Sequence, residues 1–428
     1  MSEKKPRELF KERNKRVFDA IALKESDRVP ITPFATFYAS RQKGMTNKEA
    51  MYEPEKFCQA SFEVFSEFGW DQVPYPFAVI SGSILDALGV SFLKWPGAKD
   101  EIQRLKDEQP FQYVEGEYMK ADEYKEFFED PTGFTLRKIM PRHFSRLKAF
   151  SSFPDAFSLA YGFNAILQFP AFFMMPDSQD LLNAIKESVQ TLFKWMGAMS
   201  KYEKDMKKKG YPVQFFNATF APFDGVSDVL RGMRGSMLDM YRQPENLLKL
   251  IDFFTEPAIQ NAVNLKNLAP NNIVFIPLHR GADGFMSNKQ FETFYWPTLS
   301  KVMEGLIKND LIPMPFFEGS YNDRLEYLQE FAKKHKGKLI YWFDRTDIFK
   351  AKEMFGDHAC IRGNIPASLL VFGPPKKLED YVKECIEKCA EGGGYIVDGG
   401  VSGIPDEAKP ENVKAMTEAV FKYGVYRK

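Results

Sequence analysis

The stretch KLIYWFDRTDIFKAKEMFGDHACIRGN, residues 338–364, decides the fold. It begins with KLIYWF, an apolar run of a strand's length, continues with a helical run over 347–356, and ends with a second apolar run, HACIRG. Strands of a parallel sheet are apolar along their whole length because helices cover both of their faces. A strand, a crossover helix and a second apolar strand therefore predict an α/β fold with a parallel sheet.

The same alternation continues on both sides of this stretch. A first strand is predicted within DRVPITPFATFYAS at 27–40, and further apolar strands are predicted at 213–219, 271–278, 311–317 and 393–400. Helical runs lie between them at 244–267, 287–309, 321–336 and 376–391. In a chain of 428 residues this rhythm favours one closed (β/α)8 TIM-type barrel. An open doubly wound sheet is the alternative, but no GxGxxG motif follows any of the predicted strands.

A single barrel domain is predicted over 1–428, with one interruption. Residues 97–160 are acidic, aromatic and poorly periodic, so we predict that they form an insertion. Such an insertion could cover a cleft as a lid, or decorate an edge of the barrel.

The composition of the chain argues against a nucleic-acid-binding protein and against a membrane-spanning one. Lys and Arg total 58, as do Asp and Glu, so the formal charge is zero, whereas nucleic-acid-binding proteins carry a basic excess. No apolar run reaches the ~18 residues of a spanning helix, and the charged N-terminal stretch lacks the apolar core of a signal peptide. We therefore expect a cytoplasmic protein that binds small molecules or protein partners, and neither nucleic acid nor membrane. The 41 Phe predict an aromatic interior or an apolar cavity.

Polar residues stand directly after the predicted strands, where a barrel carries its active site. The candidates for catalysis are His279, Glu318 and Asp344. The candidates for substrate binding are Tyr38, Arg41, Asn217, Arg280, Arg345 and Ser402. Arginine in such a place suits a carboxylate or phosphate of a ligand.

Each of these residues also has a structural alternative. Glu318 and Asp344 could cap the helices that follow them, since carboxylates stabilise helix N-termini. Asp344 could also pair with Arg345, and Arg280 could form a salt bridge between strands. A lone histidine such as His279 more often serves structure, so its position at a strand end is the main argument for a functional role.

Four stretches resemble the uroporphyrinogen decarboxylase superfamily, and together they cover most of the chain outside roughly 100–160. A short helix leads into Arg-x-Pro and the first strand within 12–34, and APFDG opens a helical stretch at 221–253. The helix FMSNKQFETFYWPTLSKV follows at 285–302, and a Gly-Asn-Ile-Pro loop begins the last third at 363–366. The resemblance implies a TIM-type barrel, and it is nearer to the corrinoid-linked methyltransferase branch than to the true decarboxylases.

The sequence departs from the true decarboxylases at their substrate-binding positions. SRQKGM keeps Arg41, Gln42 and Gly44 of the family's Arg-rich segment, but Met45 replaces its second arginine. Ser402 stands where that class has a late histidine. Decarboxylation of uroporphyrinogen is therefore not expected.

The sequence also departs from the zinc-dependent methyltransferases. Phe316 and Glu318 align with their His-x-Cys pair, and Ser402 aligns with their final cysteine. We therefore expect no zinc site of that type, because zinc prefers sulfur and imidazole ligands. Glu318 and Asp344 would instead act as acids or bind the donor. A harder nitrogen and oxygen metal site at His279, Glu318 and Asp344 is the alternative, which a single available histidine disfavours.

The resemblance implies a corrinoid-protein-dependent methyltransferase of anaerobic one-carbon metabolism, acting on a methylated small molecule or a folate-type acceptor. The chain has no D-x-H-x-x-G cobalamin motif, so no tightly bound cofactor is expected and a partner corrinoid protein would present the cobalamin. A non-porphyrin decarboxylase or lyase is the second reading, and a catalytically altered small-molecule-binding protein is the third. The resemblance to the decarboxylases also implies a homodimer whose clefts face each other.

Overall fold

The central sheet of the protein has five parallel strands in the order in which they occur along the chain. The structure is a computed structural model, and it describes residues 4–401 and 403–426. The five strands are Ile273–Leu278, Ile312–Phe317, Ile340–Phe343, Cys360–Arg362 and Tyr395–Ile396. We call them the fourth to eighth barrel segments, because three further segments precede them.

Single bridges and backbone hydrogen bonds join three earlier segments, 29–35, 71–75 and 212–219, to this sheet and to one another. The eighth segment meets the first, the first meets the second, the second meets the third, and the third meets the fourth. The bonds that make these four connections are Thr32 N to Val397 O (3.1 Å), Asp71 N to Ile31 O (2.9 Å), Val73 N to Pro212 O (3.0 Å) and Phe275 N to Asn217 O (3.0 Å). Each of eight segments thus has a neighbour on both sides, and the predicted (β/α)8 barrel is confirmed.

The second segment, 71–75, is missing from the sequence prediction. Its sequence, DQVPY, contains a carboxylate, an amide and a proline, and so lacks the apolar run that marks the other strands. Asp71 is nevertheless fully buried, because Arg16 and Arg28 pair with it at 2.9 and 2.7 Å. In this segment a buried ion pair joins the strand to its neighbours, whereas in the other segments buried apolar side chains do so.

Helices connect the barrel segments and surround them. The predicted run 244–267 is two helices, and the run 287–309 is interrupted by a wider turn at Phe291–Tyr295. The helices are Pro6–Ile21, Tyr38–Gln42, Asn47–Tyr52, Pro54–Phe65, Gly82–Leu88, Tyr124–Glu129, Pro131–Phe134, Met140–His143, Ala156–Ala160, Gly162–Met174, Pro176–Lys208, Pro222–Val229, Gly232–Arg242, Pro244–Phe253, Thr255–Leu265, Asn288–Gln290, Trp296–Lys308, Leu325–Lys334, Ile348–Phe355, Ala367–Val371, Pro375–Cys389 and Pro410–Tyr423. Within the described ranges no helix combines the length and the apolar character needed to cross a membrane.

Five aromatic rings fill the interior of the barrel. They come from the first, third, fourth, fifth and sixth segments, and form a closed circuit of contacts with centroid distances of 4.5 to 6.4 Å: Phe34, Phe215, Phe275, Phe316 and Trp342. The guanidinium of Arg362 lies 4.2 Å from the centroid of the Trp342 ring and pairs with Asp398 at 2.8 Å. The rings close the lumen below the C-terminal ends of the strands, so a ligand site has to lie above them.

The predicted insertion, 97–160, contains most of a second, small sheet. Its strands are Leu93–Pro96, Arg104–Leu105 and Gln112–Tyr113. Ion pairs fix the segment to itself and to the barrel, since Glu123 pairs with Arg142 and Glu117 with the buried Arg231, at 2.7 and 2.5 Å. This attachment places residues 113–115 beside the end of the fourth barrel segment. The role of the insertion as a lid stays a prediction.

Candidate active site

A cavity of about 400 Å³ lies at the C-terminal ends of the fourth and fifth barrel segments. The fourth segment supplies His279 and Arg280, which follow Leu278, and the fifth supplies Glu318, which follows Phe317. The other lining residues come from the insertion and from the helix after the third segment: Tyr113, Val114, Glu115 and Asp228. Two predicted catalytic residues, His279 and Glu318, and the predicted binding residue Arg280 therefore lie in one cavity.

The imidazole of His279 is tied to a carboxylate. Its Nδ1 donates to Oδ2 of Asp228 at 2.6 Å. Burial alone would lower the pKa of His279, but the hydrogen bond to Asp228 and the negative charges of Asp224 and Asp228 raise that pKa to about 9. At neutral pH His279 is therefore a cation whose other ring nitrogen, Nε2, carries a proton.

A second carboxylate of the same helix fixes the turn that carries His279. Asp224 is buried, and it accepts hydrogen bonds from the backbone N–H groups of His279 and Arg280 at 2.9 and 3.0 Å. The hydroxyl of Tyr295 donates to it as well, at 2.6 Å. Burial raises the pKa of Asp224 to about 6, and the charge of Asp228 adds to that shift. Asp224 and Asp228 are one helical turn apart, so both carboxylates reach the end of the same strand.

Arg280 is held by the same helix. Its Nη2 donates to Oδ1 of Asp228 at 3.1 Å, and its Nε donates to Oγ of Ser227 at 3.0 Å. The guanidinium also lies 5.2 Å from the centroid of the Phe285 ring. Asp228 therefore bridges His279 and Arg280, and the salt bridge of Arg280 is formed with a helix and not with a neighbouring strand.

Glu318 is the only one of the predicted acids that is both exposed and, among residues 4–401 and 403–426, without a hydrogen-bond donor on its carboxylate. Glu318 follows the last residue of the fifth strand, where the backbone turns, since its N–H donates to the carbonyl of Phe316 at 3.1 Å. It lines the same cavity as His279. The alternative role as a helix cap is not seen, because the helix Leu325–Lys334 has no side-chain cap.

Phe316 decides whether zinc fits this site. Its ring packs 4.5 Å from the centroid of Trp342 and offers no lone pair at the position that corresponds to the family's histidine ligand. No group of three or more His, Cys, Asp or Glu side chains in the described ranges is arranged to hold a metal ion. Ser402, the third aligned position, lies outside the described residues. The donor set therefore does not fit a thiolate zinc site.

Asp344 lies next to the cavity but does not line it. Its Oδ2 accepts a hydrogen bond from the backbone N–H of Gly319 at 2.9 Å, and burial raises its pKa. With Arg345, whose side chain is 77% exposed, it lines a separate cavity of about 440 Å³. Asp344 thus holds the turn that carries Glu318, and Arg345 Nε lies 3.6 Å from its carboxylate.

Three predicted binding residues lie away from this cavity. Arg41 pairs with Glu407 at 3.1 Å and lines a different cavity of about 330 Å³. Tyr38 is fully buried, and burial raises the pKa of its hydroxyl. Asn217 is buried in the barrel wall, where its amide donates to the carbonyl of Ala262 at 2.8 Å.

Sequence reasoning missed four residues of the cavity: Tyr113, Val114, Glu115 and Asp228. For Asp228 a signal existed, because PFDGVSD places two aspartates four residues apart in a helix that directly follows a barrel strand. Tyr113 and Glu115 belong to the insertion, whose position relative to the barrel no local pattern reveals.

Comparisons with known proteins give both a fold and a family. The sequence model of the uroporphyrinogen decarboxylase (URO-D) family matches residues 12–99 and 167–423, and leaves out much of the predicted insertion. The solved structure of a methyltransferase from Methanosarcina mazei superposes with a TM-score of 0.61 at 16% identity, covering 96% of this chain and 98% of that one. At that identity the superposition is evidence of fold.

Among curated proteins, uroporphyrinogen decarboxylases are similar over part of their length. That of Pseudoalteromonas atlantica is 29% identical over 143 residues, and that of Salmonella dublin is 27% identical over 186 residues. These alignments cover 33% and 43% of this chain, and 39% and 50% of the relatives. Because the family model matches most of the sequence, the chain belongs to the uroporphyrinogen decarboxylase (URO-D) family.

Proposed function

We propose that the protein is a methyltransferase that moves a methyl group between a small methylated molecule and a corrinoid carried by a partner protein. One observation carries the proposal: a cationic His279, fixed by Asp228, shares a cavity with Glu318, a carboxylate that the described residues leave without a partner. The site therefore offers an acid and an anion to one small ligand.

His279 would supply the proton that methyl transfer requires. When a methyl group leaves an oxygen, nitrogen or sulfur atom as a cation equivalent, the bonding electron pair stays on that atom. A proton donor at that atom lowers the barrier, typically by a factor of about 10²–10⁴ in rate. Nε2 of His279 is free to donate because Nδ1 is bound to Asp228. The leaving group departs as the neutral amine, alcohol or thiol, and His279 then regains its proton from solvent.

Glu318 would orient the donor against His279. A carboxylate accepts hydrogen bonds from a donor's N–H or O–H, and the donor atom that carries the methyl group needs a lone pair to take the proton of His279. Asp344 would help to position Glu318, because its carboxylate accepts a hydrogen bond from the backbone N–H of the next residue, Gly319.

Two findings support a methyltransferase: the chain belongs to the URO-D family, and its fold is similar to that of the methyltransferase from Methanosarcina mazei. The corrinoid would be a second substrate, presented by its carrier protein at the mouth of the barrel. A folate-type methyl compound would occupy the same cavity as an alternative donor or acceptor.

The test is a methyl-transfer assay. The purified chain is mixed with reduced cobalamin and with methoxyaromatics, methylamines, betaines or methylfolates in turn, and the cobalamin absorbance is followed. We expect methylation of cobalamin with one donor class, and a loss of about 10²-fold or more for His279→Gln. If no donor class gives a methylated product, the proposal is wrong.

A second candidate is decarboxylation of a small, non-porphyrin acid. Arg280 lies in the same cavity and could hold a carboxylate, and the curated relatives are named uroporphyrinogen decarboxylases. Release of CO₂ from small acids without cobalamin would favour this activity. Ligand binding with neither reaction would favour a binding protein.

A further inference from the structure

Helices Ala156–Ala160, Gly162–Met174 and Pro176–Lys208 expose an unusual number of large apolar side chains. We call this surface the 157–196 face. The side chains are at least two-fifths exposed, and six of them are more than two-thirds exposed, among them Phe163 at 76%, Met174 at 82% and Phe193 at 70%. No Asp, Glu, Lys or Arg occurs from 156 to 176. The remaining members are Phe157, Tyr161, Ile166, Leu167, Phe169, Leu182, Ile185, Val189, Leu192 and Met196.

The exposed apolar residues of the long helix follow a regular spacing. Leu182, Ile185, Val189, Leu192 and Met196 are separated by three, four, three and four residues. This is the spacing of the a and d positions in a coiled coil, which bring an apolar seam against another helix. A helix that packs only within its own chain would have this seam buried.

The neighbouring helix Gly162–Met174 carries a second apolar stripe. Phe163, Ile166, Leu167 and Met174 recur at helical spacing and are exposed. The two helices pack against each other through Phe172 and Leu181, which belong to one buried cluster. Two neighbouring helices thus each carry an exposed apolar stripe, as two helices of a four-helix bundle do.

The area of the face corresponds to that of a stable interface. Thirteen half-exposed aromatic or aliphatic side chains present on the order of 100 Å² each, since a whole aromatic side chain has about 150–250 Å². The total exceeds the few hundred Å² of apolar patch usual on a monomer. It reaches the ~800 Å² that each partner contributes to a standard interface.

We propose that the 157–196 face binds the same face of a second copy of the chain. Two helices from each copy would form a four-helix bundle around a twofold axis that passes close to Val189, the centre of the seam. A twofold axis demands a surface that is complementary to itself. The seam meets this demand, because it is uncharged and its apolar positions are disposed symmetrically about Val189.

A lipid surface fits the same face less well. Helices that lie on membranes carry Lys and Arg beside their apolar stripe, and anionic lipids attract them. Residues 155–196 carry four acidic side chains and two basic ones, Lys186 and Lys194. The face therefore has no basic excess for anionic lipids, which favours a protein partner.

This interface differs from the one that the resemblance to the decarboxylases implies. None of the residues that line the cavity of His279 and Glu318 belongs to the 157–196 face. The two copies would therefore associate through their helices and leave both cavity mouths open to substrate and to a carrier protein.

The first test is the mass of the full chain in solution by sedimentation equilibrium at micromolar concentration. We expect a dimer for the unmodified chain and a monomer for the double variant Ile185→Glu/Leu192→Glu. Phe372→Glu is the matched control, because Phe372 is 80% exposed but lies elsewhere, and it should stay dimeric. An unmodified chain that is monomeric, or a double variant that stays dimeric, would overturn the proposal.

The second test does not depend on destabilising the interface. All four cysteines are buried, so Val189→Cys introduces an exposed thiol close to the proposed axis. Mild oxidation should link two copies through Cβ atoms that are close enough for a disulfide, whereas Leu268→Cys, at a position 73% exposed elsewhere, should not link. Absence of the Val189→Cys link would contradict the axis. Flotation of the unmodified chain with phosphatidylcholine or phosphatidylserine vesicles would show a lipid surface as the occupant instead.

Discussion

Nδ1 of His279 lies 2.6 Å from Oδ2 of Asp228, and this short contact joins the end of a barrel strand to the helix that follows the preceding strand. The pair makes the imidazole a cation at neutral pH. It also orients the ring, because only Nε2 remains free to meet a ligand. Everything proposed about catalysis in the cavity starts from this pair.

Removal of the Asp224 carboxylate should destabilise the fold. Asp224→Ala leaves two backbone N–H groups and the hydroxyl of Tyr295 buried without their acceptor. Each such loss costs roughly 1–3 kcal/mol, but the variant also removes the cost of burying the Asp224 carboxylate. We therefore expect a net decrease of about 2–4 kcal/mol in the free energy of unfolding. Urea denaturation measures it. A decrease below about 0.5 kcal/mol would show that Asp224 does not hold the turn.

Glu318→Gln should affect activity and leave stability alone. The carboxylate is exposed and unpartnered within the described residues, so its loss removes no native contact. We expect methyl transfer to slow by about 10²-fold, with an unchanged melting temperature. As a control, Glu353→Gln changes a carboxylate outside the cavity and should leave both quantities unchanged. Full activity in Glu318→Gln would remove this residue from the site.

Phe316→Ala should be strongly destabilising. The ring is buried within the aromatic circuit of the lumen, 4.5 Å from the centroid of Trp342, and its loss leaves a cavity there. Substitutions of this kind typically cost about 3–5 kcal/mol. Phe372→Ala removes an equal ring from an exposed position and should cost less than about 0.5 kcal/mol. Equal losses in the two variants would contradict the packing described for the lumen.

The stability of the protein should fall in alkaline solution because of His279. Its pKa is raised from 6.5 in the unfolded chain to about 9 in the fold. The stabilisation is therefore complete below pH 6.5 and is lost as the pH rises through about 9. We expect a loss of roughly 1–2 kcal/mol after allowance for solvent screening at a partly exposed side chain. Urea midpoints between pH 6 and 10 should show this loss in the unmodified chain and a smaller one in His279→Gln.

The barrel and part of the site could be predicted from the sequence, for a physical reason. Strands such as IVFIPL and IYWF are apolar because both faces are buried, and this leaves a local pattern; His279 and Glu318 follow directly from where such strands end. The segment 71–75 leaves no such pattern, because an ion pair at Asp71 replaces apolar burial.

The cavity's other residues depend on packing between distant parts of the chain. Glu115 reaches it only through the small sheet of the insertion, and Asp228 through the packing of the helix Pro222–Val229 against the end of the fourth segment. Asp344 follows a strand directly, so its position predicted that it lines the cavity. In the structure its carboxylate does not line the cavity and instead accepts a hydrogen bond from the backbone N–H of Gly319.

Methyl transfer by this cavity depends on a protonated His279 at neutral pH, and an NMR titration of its imidazole tests this most directly. The unmodified chain should show a pKa of about 9 for His279. Asp228→Asn removes the hydrogen-bonding carboxylate and should lower that pKa, while the charges of Asp224 and Glu318 continue to raise it against the effect of burial. A pKa near 6.5 in the unmodified chain, or one that Asp228→Asn leaves unchanged, would contradict the role of His279 as the cationic acid of this site.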